Sequence, residues 1–423
     1  MPSLRTVVIK PYQTVVIETR PGRRRGREPG PAAGDDPPRA GSFRGLSPIS
    51  VSLPTLGILG GGQLGRMTAL PAARLGVPVR VLADHESGTG RPLAGVTVAD
   101  WTAPAVLRDW AAPCDAVTVE SEWAPADALL DAAPDVRLRP GVPTLVAIRH
   151  KGRQRGALAE AGLPQPEHVW AATRDDARDA VARYGAAVLK RFEGSYDGYG
   201  NATCRSVADV DAAWAELAAD DGLLVEAFVD FEAEAAVTVA RRADGEAVVY
   251  PAVRSEHRDH RLHAATVPAG FSDATEQAAR RVALDTIAAL DATGVATVEL
   301  CVTGAGDVLV NEVAPRPHNT AHLTIDAHHT SQFENHVRAV LGLPLGDPGL
   351  RVPAACMVNV LGEREGAAAP DLAAALAVSG ASVHLYGKDD VRPERKMGHV
   401  TVTADAVDLA RQRAEAAAAA VRL

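Results

Sequence analysis

From Leu53 onward, short apolar runs alternate with amphipathic stretches. Thr55–Leu59 predicts a strand, followed by three glycines and a helix from about Gln63 to Leu75. Val77–Leu82 and Ala116–Glu120 predict further strands, and strands separated by helices imply a parallel, doubly wound sheet. A helix carrying Leu158 stops at Gly162-Leu163-Pro164, and Ala187–Lys190 reads as a strand ending in a cation. Ala296–Val302 alternates apolar and polar positions, turns at Gly304-Ala305-Gly306-Asp307 and returns as Val308–Val313, the pattern of an antiparallel hairpin. After Leu341-Gly342-Leu343-Pro344, strands around Ala355–Val360, Ser382–Tyr386 and His399–Thr403 lead into an Ala-rich helix. There is no internal repeat, and the class is mixed α/β and α+β.

Composition narrows the function. A chain of 423 residues that is 47% hydrophobic can bury more than one core. A net charge of −9 argues against nucleic-acid binding by phosphate neutralisation, and 4% aromatics argue against base-stacking platforms. No apolar run approaches the roughly 18 residues of a membrane span. Cys114, Cys204, Cys301 and Cys356 are far apart in sequence and read as reduced thiols. The expectation is a cytoplasmic protein acting on small molecules, with no nucleic-acid or membrane partner.

Residues 1–52 differ from the rest. They hold eight Arg and one Lys against four acids, a net of +5 that leaves −14 for residues 53–423. Eight prolines make a packed core improbable, so this stretch reads as a disordered extension or the product of a start codon placed too far upstream. A basic tail or targeting peptide is the alternative, although the Pro29–Pro38 stretch does not suit a secretory signal.

Two glycine clusters suggest anion binding. Gly60-Gly61-Gly62-Gln63-Leu64-Gly65 fits G-x-G-x-x-G between a strand and a helix, and Asp84 closes the next strand. A dinucleotide site, another phosphate-bearing ligand and a purely structural turn all satisfy that pattern. Lys190 runs into Gly194-Ser195-Tyr196-Asp197-Gly198-Tyr199-Gly200, a loop able to fold its amides over phosphates, or else a long exposed hairpin. Only five of the 44 basic residues are lysine. A chain so biased towards Arg keeps Lys151, Lys190, Lys388 and Lys396 where a compact point charge is useful.

The predicted hairpin carries the sharpest physical signal. A turn centred between Ala305 and Gly306 puts Glu299 directly opposite Glu312 among apolar neighbours. Like charges so placed repel, and a divalent cation shared with nucleotide phosphates resolves the repulsion. The other reading is an exposed hairpin edge with two solvated charges. Beyond it, Ala314-Pro315-Arg316-Pro317-His318-Asn319 projects Arg, His and Asn from a stiffened segment. His384, Lys388, Arg392, Arg395, Lys396 and His399 form a second cationic cluster, read as an anion pocket rather than a solvated face because its surroundings are acidic.

Together these motifs resemble the 5-(carboxyamino)imidazole ribonucleotide synthases, ATP-grasp enzymes of purine synthesis. The likeness rests on Gly60–Met67, Lys190 with Tyr196-Asp197-Gly198, Tyr250-Pro251 followed by His257-Arg258-Asp259, and above all Asn311–Asn319. Thr324–Ala327, Thr330–Glu334, Met357-Val358-Asn359 and Arg395–His399 support it. The resemblance implies a Rossmann-like domain at 53–150, an ATP-grasp domain at 151–345 and a small C-terminal domain at 346–423. It implies ATP with Mg2+, Mn2+ being an alternative, and carboxylation of aminoimidazole ribonucleotide by bicarbonate.

By position, Lys151 and Lys190 would touch ATP phosphates beneath Ser195, Tyr196, Asp197, Gly198 and Gly200. Glu226, Ala227, Phe228 and Val229 would line the adenine, Glu234 would bind the ribose, and His257 and Asn311 would complete the nucleotide site. Glu299 and Glu312 would hold the metal. Arg316, Lys396, Tyr196 and Asp197 would serve catalysis, and Gln63, Leu64, Glu120, His318, Asn319, Arg392 and Lys396 the ribonucleotide and bicarbonate. The family is often dimeric, so the resemblance also admits a homodimer.

Three positions depart from the family pattern: no Phe or Tyr flanks Glu120 and Glu122, Ser195 replaces a glycine, and Lys151 stands where Arg is usual. They leave two other functions open. One is a paralogous ligase using a different amine or nucleotide acceptor in secondary metabolism; the other is a catalytically silent nucleotide-binding regulator.

Overall fold

The computed structural model describes residues 5–9, 13–17, 53–90, 93, 95–194, 199–217 and 221–423. Arg5–Ile9 and Gln13–Ile17 form an antiparallel pair with Arg5 opposite Ile17, a local hairpin inside the stretch expected to be disordered. The rest of 1–52 lies outside the described residues.

Among the described residues, three sheets and a short pair, Gly366–Ala367 with Asp390–Val391, carry the remainder. The first contains β1 (Leu56–Leu59), β2 (Val79–Ala83), β3 (Val96–Val98) and β4 (Ala116–Val119), in the order β3-β2-β1-β4 and all parallel. Leu56–Leu59 and Ala116–Val119 are buried throughout, as parallel strands covered on both faces must be. Helix α1 (Gln63–Arg74) follows β1 directly.

A small antiparallel sheet comes next: β5 (His168–Ala171), β6 (Ala187–Lys190), β7 (Asn201–Cys204) and β8 (Leu223–Ala227), ordered β5-β8-β6-β7. Facing it in the sequence is a nine-stranded sheet of β9 (Phe231–Arg241), β10 (Ala247–Val249), β11 (Val253–Arg258), β12 (Arg261–Val267), β13 (Gly294–Thr303), β14 (Val308–Ala314), β15 (Ala354–Leu361), β16 (Ala381–Leu385) and β17 (Lys396–Ala404). Its path runs β14-β13-β9-β11-β12-β15-β17-β16, with β10 alongside β9. The β12–β15 pairing, with Ala264 opposite Val358, carries this ladder across the expected 345/346 boundary.

Alternation sorts the two faces of this sheet. Ala233, Ala235, Val237, Val239, Val298, Leu300 and Val302 pack against helix Asp273–Ala289, which presents Ala279, Ala283 and Ile287 at near four-residue spacing. Ser272 starts that helix by accepting the Thr275 N–H at 3.1 Å. The intervening residues Glu234, Thr297, Glu299 and Cys301 therefore point to the other face.

The predicted pairing of Glu299 with Glu312 is present, but the geometry reaches it by another route. Leu300, Cys301 and Val302 pair with Val310, Leu309 and Val308, so the turn is centred on Ala305. One extra residue, Asn311, is then inserted before Glu312. Val308, Val310 and Val313 reach the core, while Asn311 and Glu312 stay out of it.

Candidate active site

The two carboxylates of the hairpin are the centre of the site. His318 Nε2 lies 3.1 Å from Glu299 Oε1, and Lys151 Nζ lies 2.9 Å from Glu312 Oε1. Burial alone would raise Glu299. The hydrogen bond and charge of His318 outweigh it, helped by His257 and Lys151, and hold the carboxyl at about 2. Two ionised carboxylates on one face offer hard oxygen donors suited to Mg2+ or Mn2+. No group of three or more His, Cys, Asp or Glu among the described residues could cage a metal alone. A cation held by this pair would complete its shell with phosphate oxygens or waters.

Behind this row is a buried charge cluster. Glu226 accepts from Arg155 Nε at 2.6 Å and pairs with Lys190 Nζ at 2.7 Å, all three residues being less than one-tenth exposed. Burial works against the carboxylate, but the two cations hold it at about 2. Burial also pulls the Lys190 ammonium below its ordinary value, against the attraction of Glu226 and with the repulsion of Arg155 and Lys151. Two cations around this one carboxylate leave an excess of positive charge that phosphates would neutralise. The Glu226 side chain thus fixes Lys190 rather than pointing freely at a base. Arg155 was not anticipated, although it lies four residues after Lys151 on helix Lys151–Glu160 and so shares its face.

The remaining nucleotide candidates surround that cluster. Glu234 Oε2 and His257 Nδ1 are 2.7 Å apart, and this bond outweighs burial to raise His257. The Ala227 and Phe228 amides donate to Glu167 and Ala186 carbonyls, and Arg205 lies 4.6 Å over the Phe228 ring. Val229 continues the same segment and is partly exposed. Ser195, Tyr196, Asp197 and Gly198 lie outside the described residues. At the base of that segment, Gly200 accepts the Arg191 N–H at 2.9 Å, Lys151 N–H donates to the Phe192 carbonyl, and the Phe192 ring stacks on His150 and meets Trp170 at a tilt. Asn311 Oδ1 approaches Lys190 Nζ at 3.4 Å.

The first glycine cluster is already filled. Glu120 Oε2 accepts the Gly62 N–H at 2.5 Å, and Oε1 accepts that of Leu64 at 2.9 Å. A Cβ on Gly60 or Gly62 would collide with this side chain, so these glycines admit Glu120. The helix N-terminus thus binds an anion supplied by the chain itself, which removes the dinucleotide reading. Burial raises Glu120 despite the amides of Gly62, Leu64 and Gly65. Leu64 contributes through its backbone. Gln63 lines a cavity of about 560 Å³ together with Arg66, Met67, His384 and Tyr386.

Glu122, the neighbouring acid, clamps Arg316 with Nε–Oε2 at 2.7 Å and Nη2–Oε1 at 3.4 Å. Burial opposes the charge on Glu122, but Arg316 holds its carboxyl low. Glu120 and Glu312 also act electrostatically on Arg316, placing that guanidinium between the first domain and the facing glutamates.

The C-terminal cluster joins the site through Lys396, whose charge acts on both His257 and His322. Lys388 Nζ donates to the Lys396 carbonyl at 2.6 Å; burial, then Arg395 and Lys396, bring it down to about 8. Arg392 is exposed at the rim. Asn319 exchanges two amide hydrogen bonds with Asn359, at 3.0 and 2.8 Å, and so braces the loop after Arg316. Gln332, which lies in the Thr330–Glu334 motif, and His322, both fully buried behind His318, received no role in the sequence reading because nothing in local spacing marks one.

Residues 53–149, 156–333 and 355–413 match, in turn, the ribonucleotide synthetase preATP-grasp domain, the ATP-grasp domain and the phosphoribosylaminoimidazole carboxylase C-terminal domain. The chain is 38% identical over 359 residues to the chloroplastic phosphoribosylaminoimidazole carboxylase of Vigna aconitifolia, covering 82% of this chain and 63% of the relative. It therefore spans less than two thirds of that relative's length. Against the N5-carboxyaminoimidazole ribonucleotide synthase of Synechococcus elongatus, identity is 35% over 370 residues, covering 84% of this chain and 91% of the relative. A crystal structure of the Aspergillus clavatus N5-carboxyaminoimidazole synthase with ADP and 5-aminoimidazole ribonucleotide superposes with a TM-score of 0.78 at 34% identity, covering 86% and 96% of the two chains. With its three regions matched in order and nearly the full length of the cyanobacterial enzyme covered, the chain belongs to the N5-carboxyaminoimidazole ribonucleotide synthase family of ATP-grasp ligases.

Proposed function

We propose that the protein carboxylates 5-aminoimidazole ribonucleotide with bicarbonate at the expense of ATP, in three regions, 53–150, 151–345 and 346–423. A bicarbonate oxygen attacks the γ-phosphorus and the bond to ADP breaks, giving carboxyphosphate. The exocyclic amine then attacks the carboxyl carbon, phosphate leaves, and the nitrogen loses a proton. Such transfer needs charge neutralisation and positioning rather than a protein nucleophile.

Lys151 and Lys190 neutralise the ATP phosphates under the Ser195–Gly200 loop, with Tyr196 and Asp197 brought over the reacting groups. Loop closure protects carboxyphosphate from water. Glu234, His257, Asn311 and the Glu226–Val229 segment hold the nucleoside end. Mg2+ or Mn2+, held by Glu299 and Glu312, would supply Lewis-acid neutralisation of phosphate charge. Arg316, His318 and Lys396 receive bicarbonate and the ribonucleotide, with Gln63, Leu64, Glu120, Asn319 and Arg392 shaping that end. The same reading places the enzyme in the cytoplasm, acting on small molecules, and admits a homodimer.

The observation that carries this reading is the facing pair Glu299 and Glu312, set between Lys151 and His318. The test is phosphate release from Mg·ATP and labelled bicarbonate, with and without the ribonucleotide. Ribonucleotide-dependent release with label in an acid-labile product is expected. Release indifferent to the ribonucleotide would point to another acceptor, and no release to a silent nucleotide binder.

A further inference from the structure

His318 meets Glu299 from a loop stiffened by Pro315 and Pro317, and the grip on that loop comes from behind. Gln332, fully buried, accepts the His318 N–H through Oε1 at 2.8 Å and donates Nε2 to the His318 carbonyl at 2.8 Å. A backbone N–H can only donate, so Oε1 must face it and the amide orientation is fixed. The second Nε2 hydrogen then points at His322 Nδ1, 3.0 Å away. That nitrogen must carry a lone pair, which leaves the His322 proton on Nε2. A protonated His322 would set donor against donor and loosen Gln332.

The surroundings favour the neutral ring. His322 has no exposed surface and lies among the rings of Phe333, Tyr386 and His399. Burial first, then the charges of His318, His384, Lys396 and Arg316, lower its pKa well below the ordinary value. His384 is itself paired with Asp326 at 2.8 Å, and His399 meets Tyr386 through Nδ1 at 3.1 Å. The acceptor that orients Gln332 is thus a histidine kept neutral by its setting.

We propose that Gln332 and His322 are positioning residues that clasp the His318 peptide and hold its imidazole against Glu299, with His322 as the neutral, Nε2-protonated tautomer. This rests on the carboxylation reading for its consequence in catalysis, but not for the tautomer itself.

Three variants and one spectrum test it. His322→Phe keeps ring volume and removes the acceptor; kcat for ribonucleotide-dependent phosphate release should fall about tenfold to a hundredfold, the cost of one lost buried hydrogen bond, while the KM for ATP changes less than about twofold. His322→Asn puts an amide oxygen near the Nδ1 position and should restore most of kcat. Gln332→Met removes the clasp itself and should cost at least as much as His322→Phe, and the double variant should lose no more than Gln332→Met alone. In 15N spectra of histidine-labelled protein, the signal lost in His322→Asn should be that of a neutral Nε2–H imidazole across neutral pH. An Nδ1–H or imidazolium signal would overturn the proposal. So would His322→Asn being as slow as His322→Phe at equal melting temperature. Should the wild type release no phosphate with the ribonucleotide, the reaction reading fails while the spectrum still decides the tether.

Discussion

Glu299 stands across from Glu312 because Asn311 is inserted into one strand and not the other. The turn alone, centred on Ala305, would set Glu299 opposite Asn311 and point Glu312 into the core with Val308 and Val310. The bulge turns the strand by one residue, so that Val313 takes the core position and Glu312 the site. Deleting Asn311 closes the bulge and leaves Glu312 next after Val310, so plain alternation should keep Glu312 opposite Glu299 and Val313 in the core, and metal-dependent phosphate release should fall only by the loss of the Asn311 amide beside Lys190. Glu312→Gln should keep the fold and lose turnover by about a hundredfold or more. Metal-dependent turnover surviving at the wild-type rate in Glu312→Gln would sink this account.

Acid should attack the buried Glu226 cluster. Its carboxyl titrates near 4.5 when free and at about 2 in the fold, so its stabilisation is complete above about 4.5 and fades as pH falls towards about 2. Glu226→Gln strands Arg155 and Lys190 without their carboxylate and should cost about 3–5 kcal/mol at neutral pH. The gap between wild type and variant, read by urea unfolding, should narrow through that acid window. A gap independent of pH would contradict the pairing.

Lys388 sets an alkaline limit. At about 8, its ammonium is charged below that pH and neutral above it, so attraction for an anionic substrate is lost as pH rises through 8. The KM for the ribonucleotide should climb there while that for ATP does not. Lys388→Arg should remove the climb, since a guanidinium stays charged. An unchanged profile in that variant would assign the limb to another group.

Gly62→Ala should evict the Glu120 carboxylate from the start of α1. The cost is that of a buried carboxylate losing its donors, a few kcal/mol, read as a fall in melting temperature. NAD should show no binding heat with either protein. A variant as stable as the wild type would mean the carboxylate does not need that glycine.

Much of this was legible in the chain because each signal was local. Alternation over 296–302 and 308–313 gave the hairpin, and period-two counting gave the glutamate pair, yet through a turn one half-step out of place. The break in alternation at Val310-Asn311-Glu312-Val313 was the visible trace of the bulge. The G-x-G-x-x-G pattern was also real, but what fills it, Glu120, lies 58 residues beyond Gly62, and local sequence does not show that fit. Arg155 followed Lys151 by one helical turn and was within reach of spacing arguments. Gln332 and His322 were not, because their meaning depends on a peptide 14 residues before Gln332 being folded back onto it.

The unbroken ladder from β14 to β16 has a mechanical consequence. Glu312 at one end and the strand bearing Lys396 near the other are stations on a single hydrogen-bonded beam, joined through β12 and β15. Packed ladders bend little, so the span between the end that carries Glu312 and the end that carries Lys396 is a fixed gauge. A molecule made to reach from one end to the other can then be cut to that fixed length.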